Sequence, residues 1–496
     1  MRVLFASAEV YPFAKTGGLA DVSAALPAAL REIGVDVRVL LPGYQQALEQ
    51  ALAPREIMQL GDPLGCGETR LLETFLPNSK VPVWLIDCPK LYMRGGGLYQ
   101  NGEGGDWADN HLRFALLSHA AAAIVNEPGA GWRPDIIHAN DWHAALIPLL
   151  LPAGRRRPAT LLTVHNLAYQ GVFDAASFAQ LGLPPETYSE LEFYGRISFL
   201  KAGIRSADAI TTVSPTYAEE ILTPEYGCGL EGVLREKALC ISGILNGVDY
   251  DIWDPGLDPH LVRNYTARAP APKAVNKSAI QSELGLEIEP DAPLLAFMSR
   301  LVHQKTPDIV LDALPALIEE GMQFALVAEG ESGYQERFRR LAEEHPGRVA
   351  VRIGYEEPVA HRLLAGADIL LHPSRFEPCG LVPIYAMRYG TIPVVRSSGG
   401  MADSVVDATP DSIQRNVATG VAFENPSAPE LLAAVRRAHA LYRQPIAWRR
   451  MQKCAMRQDF SWRRSAAAYA DLYRSLAHVP VAKKPAQEVV AERLTA

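Results

Sequence analysis

His372-Pro373-Ser374-Arg375-Phe376-Glu377-Pro378-Cys379-Gly380-Leu381 decides how this chain folds. It follows an apolar run, Ile369-Leu370-Leu371, with the character of a buried strand ending at His372. Beyond Gly380 the spacing of Ile384, Met387 and Arg388 is helical, and Gly390 is the stop signal. Strand, tight polar loop and new helix predict a loop at the carboxyl end of a sheet, where open α/β folds place ligands. Glu377 precedes Pro378, which biases its backbone toward extended geometry, so its carboxylate projects from the loop. The N–H groups of Cys379, Gly380 and Leu381 lie near a helix start, a ready anion site. A carboxylate for hydroxyls beside an anion cradle suits a sugar attached to a phosphate. A surface turn with a capping glutamate explains this loop, taken alone, equally well.

The same alternation surrounds it. Strands are expected at Pro293–Ser299, Phe324–Ala328, Val349–Ile353 and Ile392–Val395, each followed by a helical pattern. Arg300 ends the first of these and Lys305 opens the next helix, a connection suited to a phosphate: Arg offers a fork, Lys a point charge. Two solvated surface cations are the plain alternative.

The N-terminal half repeats the scheme. Arg2–Ala8 reads as a strand, and Glu9–Asp21 as a loop holding A-K-T-G-G-L-A-D. A helix follows through Val22, Leu26, Leu30 and Ile33, with Pro27 predicting a kink or a late start, and then a strand at Val35–Leu41. The glycine loop is neither a Walker A nor a G-x-G-x-x-G motif, since Lys15 precedes its glycines. Lys15 with Gly17 and Gly18 still offers charge and close backbone approach to a phosphate. Further strands are expected at Glu68–Phe75, Val81–Ile86, Asp135–His138, Leu161–Val164, Ala209–Val213 and Ile241–Leu245, with a helical run at Ala144–Leu151. Ser214-Pro215 reads as a helix N-cap followed by proline at the first helical position. Gly95–Gly97 and Gly102–Gly105 mark a long excursion of the kind that is often functional. The proline-rich passage Asp254–Lys273 is the expected hinge between two doubly wound domains.

At 496 residues the length suits two large domains or about three ordinary ones. The net charge of −8 argues against an extended nucleic-acid surface. Cys66, Cys88, Cys228, Cys240, Cys379 and Cys454 show no C-x-x-C pair, so neither a disulfide framework nor a zinc knuckle is indicated. There is no signal-like apolar segment at the start and no run of membrane-spanning length. A reduced, cytoplasmic, soluble protein is expected.

His138, Asp141 and His143 have metal-ligand chemistry but no helical i, i+4 pair and no fourth ligand, so hydroxyl binding by Asp141 and His165 is favoured over a metal. Asp249-Tyr250-Asp251 matches a metal-binding D-x-D pattern that is short and common by chance; it is read as spurious. Trp142 is either a sugar platform or, as for most Trp, a core residue.

Together, K-T-G-G-L-A-D at Lys15–Asp21, H-A-N-D-W-H at His138–His143, V-H-N-L-A-Y-Q-G at Val164–Gly171, N-G-V-D at Asn246–Asp249 and S-R-F-E-P-C-G-L at Ser374–Leu381 resemble the bacterial and plant glycogen/starch synthases that use ADP-glucose. The resemblance runs from Met1 to about Leu476. It implies the GT-B fold, two Rossmann-like doubly wound α/β domains with the active site in the cleft between them. Residues 1–250 would form the acceptor-side domain, rejoined by helices at 460–477, and 251–459 the nucleotide-sugar domain. Residues 478–496 would be a loose tail.

The resemblance also implies roles. Lys15 and Gly18 would contact the phosphate side of the sugar nucleotide, with Asp21 beside them. Asp141, His165 and Asn246 would hold glucose or acceptor. Arg300 and Lys305 would neutralise the departing ADP, Tyr355 would stack on adenine, and Glu377 would bind glucose hydroxyls. The backbone at Cys379, Gly380 and Leu381 would hold the glucose and the distal phosphate. The implied reaction is retaining transfer of glucose from ADP-glucose to the 4-hydroxyl at the end of an α-1,4-glucan such as glycogen. It would need no cofactor, metal, nucleic acid or membrane. Three stretches depart from the family pattern: Q-K-T-P-D at Gln304–Asp308 for Q-K-G-x-D, Ala328-Glu329-Gly330-Glu331 for G-x-G-D, and Val382-Pro383 for Thr-Gln. All fall on the donor side, which keeps a UDP-sugar transferase, a phosphorylase or a catalytically weak glucan-binding relative as rivals.

Overall fold

The computed structural model describes residues 1–77, 79–102, 104–126, 131–152, 154, 157–354 and 356–478. The expected tail therefore lies, from residue 479 onward, outside the described residues.

Two sheets organise the chain. The first contains β1 (Arg2–Ala6), β2 (Asp36–Pro42), β3 (Arg55–Gly61), β4 (Thr69–Phe75), β5 (Pro82–Asp87), β6 (Ile136–Asn140) and β7 (Ala159–Val164). A small separate sheet holds β8 (Val172–Asp174), β9 (Glu192–Phe193) and β10 (Arg196–Ser198), and the chain returns to the first sheet with β11 (Ala209–Thr212) and β12 (Ile241–Gly243). The spatial order is β12-β11-β7-β6-β1-β2-β5-β4-β3, parallel except where β4 pairs antiparallel with β3 and β5. The second sheet runs β15-β14-β13-β16-β17-β18, all parallel, from β13 (Leu294–Leu301), β14 (Gln323–Gly330), β15 (Val349–Ile353), β16 (Ile369–His372), β17 (Ile392–Arg396) and β18 (Val421–Phe423). Val3 to Ala6 and Ile369 to Leu371 are fully buried, the pattern of central parallel strands covered by helices on both faces.

The strand order explains where function sits. In the first sheet it reverses between β1 and β6; in the second, between β13 and β16. Loops leaving adjacent strands at such a reversal diverge and open a crevice. The four loops so placed carry Lys15, Asp141, Lys305 and Glu377.

Some expectations needed correction. β3, β18 and the small sheet were not anticipated. β3 is largely exposed, and the others are two or three residues long, so hydrophobic periodicity is weak in all of them. The helical run expected at Ala144–Leu151 is a 3₁₀ turn at Trp142–Ala144 and a single helical turn at Ile147–Leu150, with Pro148 and Pro152 limiting its growth. The first helix does not start late: it runs Gly18–Glu32 straight through Pro27.

Past the second sheet, helix Trp462–His478 returns to the first. The Tyr473 hydroxyl lies 2.7 Å from His138 Nδ1, and Ser465 Oγ donates to the Leu245 carbonyl at 2.6 Å. The passage expected as the hinge, and the residue just before it, are packed against the second domain. Trp253 stacks on Tyr385 at 4.1 Å, and Asp258 accepts hydrogen bonds from Tyr389 and His361.

Candidate active site

β16 delivers His372 and the chain turns sharply to helix Leu381–Arg388, whose N-cap is Gly380 at φ 81°. An added Cβ at Gly380 would lie 2.0 Å from the Met401 side chain, so the turn needs glycine for both conformation and space. The Leu381 and Val382 N–H groups open the helix, where no helical carbonyl precedes them. Pro383 sits in the first turn, where its missing N–H costs nothing.

Glu377 is buried, and its two oxygens differ. Oε2 accepts from Lys305 Nζ, from His372 Nε2 at 2.7 Å and from Ser374 Oγ at 3.1 Å. Oε1 has no partner among the described residues. Burial opposes the ionisation of Glu377, but Lys305 beside it and the His372 hydrogen bond outweigh that and hold the carboxyl well below the usual carboxylate range. Burial lowers the His372 pKa in turn, so the imidazole donates as a neutral group. The charged form of the carboxylate is favoured, with one oxygen fixed and the other without a partner among the described residues.

Lys305 is held there by a second loop. Thr306 takes a left-handed conformation, φ 57°, where the family pattern has glycine. Its hydroxyl donates to Pro373 O at 2.9 Å, tying the loop to β16 and offsetting part of the ~1–2 kcal/mol cost of that conformation. Arg375 grips Asp308 through two bonds of 3.0 and 2.6 Å, closing the two loops over each other. Lys305 and Glu377 are thus brought together. Arg300 stays exposed near the end of β13, its guanidinium without a partner among the described residues. Tyr355 lies outside the described residues.

On the opposite sheet, Lys15 Nζ pairs with Asp21 at 2.7 Å. Burial raises the Asp21 pKa, against the pull of Lys15. Glu9, which the sequence reading passed over, shapes this loop. Its carboxylate accepts the Thr16 N–H at 2.6 Å, the Gly17 N–H at 3.1 Å and the Tyr99 hydroxyl at 2.6 Å. Those two amides are therefore occupied, which leaves the Lys15 ammonium and Gly18 for an anion. Gly18 faces Leu381 across the cleft, with an added Cβ 3.7 Å from the Leu381 side chain. The long excursion serves to place Tyr99, which stacks on His143 at 5.0 Å. An acid at a strand end and an aromatic after a glycine run were the available signals for Glu9 and Tyr99.

Asp141 follows β6 with φ 55° and ψ −173°, a strained backbone for a non-glycine residue. Its Oδ1 accepts the His165 N–H at 2.7 Å. Burial raises its pKa to about 7, against the hydrogen bonds from His165 and Asn166 that lower it. Asn140 donates through Nδ2 to Ala6 O and His138 O, so its Oδ1 accepts, and His165 Nε2 donates to it at 3.0 Å. Desolvation takes the His165 pKa down to about 3, leaving a neutral ring with Nδ1 as acceptor. Asn246 is buried with Oδ1 unpartnered. Trp142 is core: an added Cβ at Gly171 would lie 2.3 Å from its ring. Both nitrogens of His138 meet hydroxyls, of Tyr473 and Thr163, and Asp249 Oδ1 accepts the Asp251 N–H in a local turn.

The raised Asp141 pKa has a testable sign. Between about pH 4 and 7 the unfolded chain has lost a proton that the folded chain keeps, so this group lowers stability as pH rises through that window. Asp141→Asn keeps the acceptor for His165 and removes the titration. Its thermal midpoint should gain on the parent's between pH 5 and 7.5; a pH-independent difference would contradict the assignment.

Residues 2–236 match the family model for the starch synthase catalytic domain, and residues 283–452 that for glycosyl transferases group 1. The chain is 52% identical to a glycogen synthase of Paramagnetospirillum magneticum, over 96% of this chain and 98% of that one. It is 49% identical to a glycogen synthase of Thioalkalivibrio sulfidiphilus, over 96% and 100%. Among solved structures it resembles the catalytic domain of starch synthase IV from Arabidopsis thaliana bound to ADP and acarbose, with TM-score 0.84 and 31% identity, over 96% and 99% of the two chains. A sucrose-phosphate synthase from Thermosynechococcus elongatus shares the fold at TM-score 0.60 and 17% identity, over 96% and 98%. With two Rossmann-like domains, reversals facing one cleft, and half its residues shared with full-length relatives, the chain belongs to the glycogen/starch synthase family of GT-B glycosyltransferases.

Proposed function

We propose that this chain transfers glucose from ADP-glucose to the 4-hydroxyl at the non-reducing end of an α-1,4-glucan, with retention at the anomeric carbon. The observation that carries this is Glu377: an ionised carboxylate with Oε2 saturated and Oε1 open, beside the amides that start helix Leu381–Arg388. Oε1 accepts a glucose hydroxyl, and the amides of the Cys379–Leu381 turn take the distal phosphate. Arg300 and Lys305 offset the charge on the departing ADP, with Lys15 and Gly18 approaching from the opposite domain. Asp141, His165 and Asn246 offer acceptors to sugar hydroxyls on the acceptor side. The leaving phosphate takes the proton of the attacking hydroxyl in a front-face displacement, and the closed cleft keeps out water that would hydrolyse the donor.

We place residues 1–250 in the acceptor-side domain, 251–459 in the donor domain, and the chain in the cytoplasm. Among the described residues no helix is long and apolar enough to cross a membrane, and no group of three or more His, Cys, Asp or Glu could hold a metal. Charge neutralisation is assigned to Arg300 and Lys305.

A coupled assay of nucleotide release with glycogen tests the proposal, comparing ADP-glucose with UDP-glucose and each with and without chelator. ADP-glucose should be the faster donor and chelator should change nothing. Preference for UDP-glucose would overturn the donor, and rescue of a chelated enzyme by magnesium or manganese would restore Asp249 and Asp251 to consideration. Glucan binding with no nucleotide release would favour a silent relative, consistent with the departures at Thr306, Ala328 and Val382-Pro383.

A further inference from the structure

The end of β17 and the segment after it reach across the cleft at several points, all to one short helix and the turn after it. Asp403 accepts the Thr216 N–H at 2.9 Å and the Thr216 hydroxyl at 2.8 Å. Glu220 Oε1 accepts the Gly399 N–H at 2.9 Å. Arg396 donates to the Tyr226 hydroxyl at 3.0 Å. Thr216 and Glu220 belong to helix Pro215–Glu220 of the first domain, while Arg396, Gly399 and Asp403 belong to the second. The turn thus grips the helix near both ends.

Each side of this contact is tied to the candidate site. On the second domain, the Gly400 N–H donates to Glu377 O at 3.0 Å, and Arg396 donates to Arg375 O. There is no slack: an added Cβ would lie 2.2 Å from Glu377 O at Gly399 and 2.0 Å from Cys379 O at Gly400. On the first domain, the Tyr217 hydroxyl accepts the Leu167 N–H at 3.0 Å, two residues beyond His165. The helix start is also wedged on the sheet, since an added Cβ at Gly243 would lie 2.1 Å from Ser214 O. The helix therefore connects the His165 loop to the Glu377 loop through two carboxylates.

We propose that Asp403 and Glu220 are positioning residues, forming a latch that holds the domains closed and sets the register between the Glu377 loop and the His165 loop. This rests on the transfer reaction proposed above for its kinetic consequence, but not for its structural one. Neither carboxylate touches the reacting atoms. Their effect is geometric: misplacement by about 1 Å of groups that meet across a cleft costs on the order of 100-fold in rate. A latch made only in the closed state also raises the fraction of chains competent to bind donor.

The test uses the full chain with Asp403→Ala, Asp403→Asn and Glu220→Ala. Asp403→Ala should lower kcat/KM for ADP-glucose by about 10- to 100-fold, with a rise in KM, while the thermal midpoint shifts little. Asp403→Asn keeps one acceptor for Thr216 and should recover much of the loss. Glu220→Ala should act in the same direction. Small-angle scattering with saturating ADP should show Asp403→Ala more extended than the parent. Unchanged compactness in that variant would overturn the latch, as would equal damage by Asn and Ala accompanied by a matching fall in thermal midpoint. If the parent releases no ADP from ADP-glucose, the proposed reaction fails. Scattering of ligand-free parent and variant would then decide the latch alone, a more extended variant supporting it and identical profiles overturning it.

Discussion

Glu377→Ala is expected to lower kcat by at least about a thousandfold while the chain stays folded, because the substitution removes a charge that the site has been built to hold. Among the described residues, three groups converge on Oε2 and none on Oε1. The converging groups fix the carboxylate; the open oxygen is what a bound glucose would use. A site built to pair with hydroxyls loses most when the pairing group is removed, since the remaining polar groups are then stranded. Glu377→Gln separates the contributions. The amide preserves shape and one acceptor but cannot neutralise Lys305, so it should fall between parent and alanine. Steady-state kinetics on variants with parent-like circular dichroism provide the check. Near-normal turnover in a folded Glu377→Ala chain would remove this residue from the mechanism.

Lys305→Met should be the second most damaging change, in two measurable ways. In catalysis it removes a cation assigned to the leaving phosphate, with a loss of about 100-fold or more in kcat/KM. In stability it leaves Glu377 buried without its principal counter-charge, a situation that costs about 3–5 kcal/mol when one member of a buried pair is deleted.

The pH dependence of that cost follows from the parent's ionisation. In the parent the folded-state pKa of Glu377 is depressed, so its stabilisation is fully present above the ordinary carboxylate pKa and is lost only as pH falls through the depressed value. In the variant, burial acts with only the His372 and Ser374 hydrogen bonds to oppose it and the pKa rises. Stability then declines as pH increases above the ordinary value, because the unfolded chain releases a proton that the folded chain retains. The gap in thermal midpoint between parent and variant should widen from pH 5 to pH 7.5. A constant gap would mean that Lys305 stabilises by packing alone. Lys305→Arg should restore stability better than activity, since a planar fork cannot take the position of an ammonium against Oε2.

Ile369-Leu370-Leu371, the turn through Gly380 and the helical spacing beyond it predicted a strand, loop and helix, and β16 with helix Leu381–Arg388 realise them. These features are local: they depend on dihedral preferences and side-chain periodicity within about a dozen residues, and the sequence states such preferences directly. The carboxylate of Glu377, expected to project from the loop ahead of Pro378, is instead buried against Lys305, His372 and Ser374. The pairing of Lys305 with Glu377 was not foreseen; the sequence placed both at strand ends of one sheet, where α/β folds gather their loops.

What the tertiary structure decided is everything that depends on strand order. β13 and β16 are neighbours although two strands intervene in sequence, and only that adjacency puts Lys305 on Glu377 Oε2 and frees Oε1. Glu9 and Tyr99 meet across 90 residues, so neither could be read from its own surroundings. Asp403 was one acid among many until folding set it on Thr216. The pKa values of Asp141 and His165 likewise come from desolvation, which exists only once the chain has closed around them. Local preference selects the elements, while burial and electrostatic pairing between distant residues are properties of the assembled fold, and it is these that set the charge, orientation and availability of each group in the cleft.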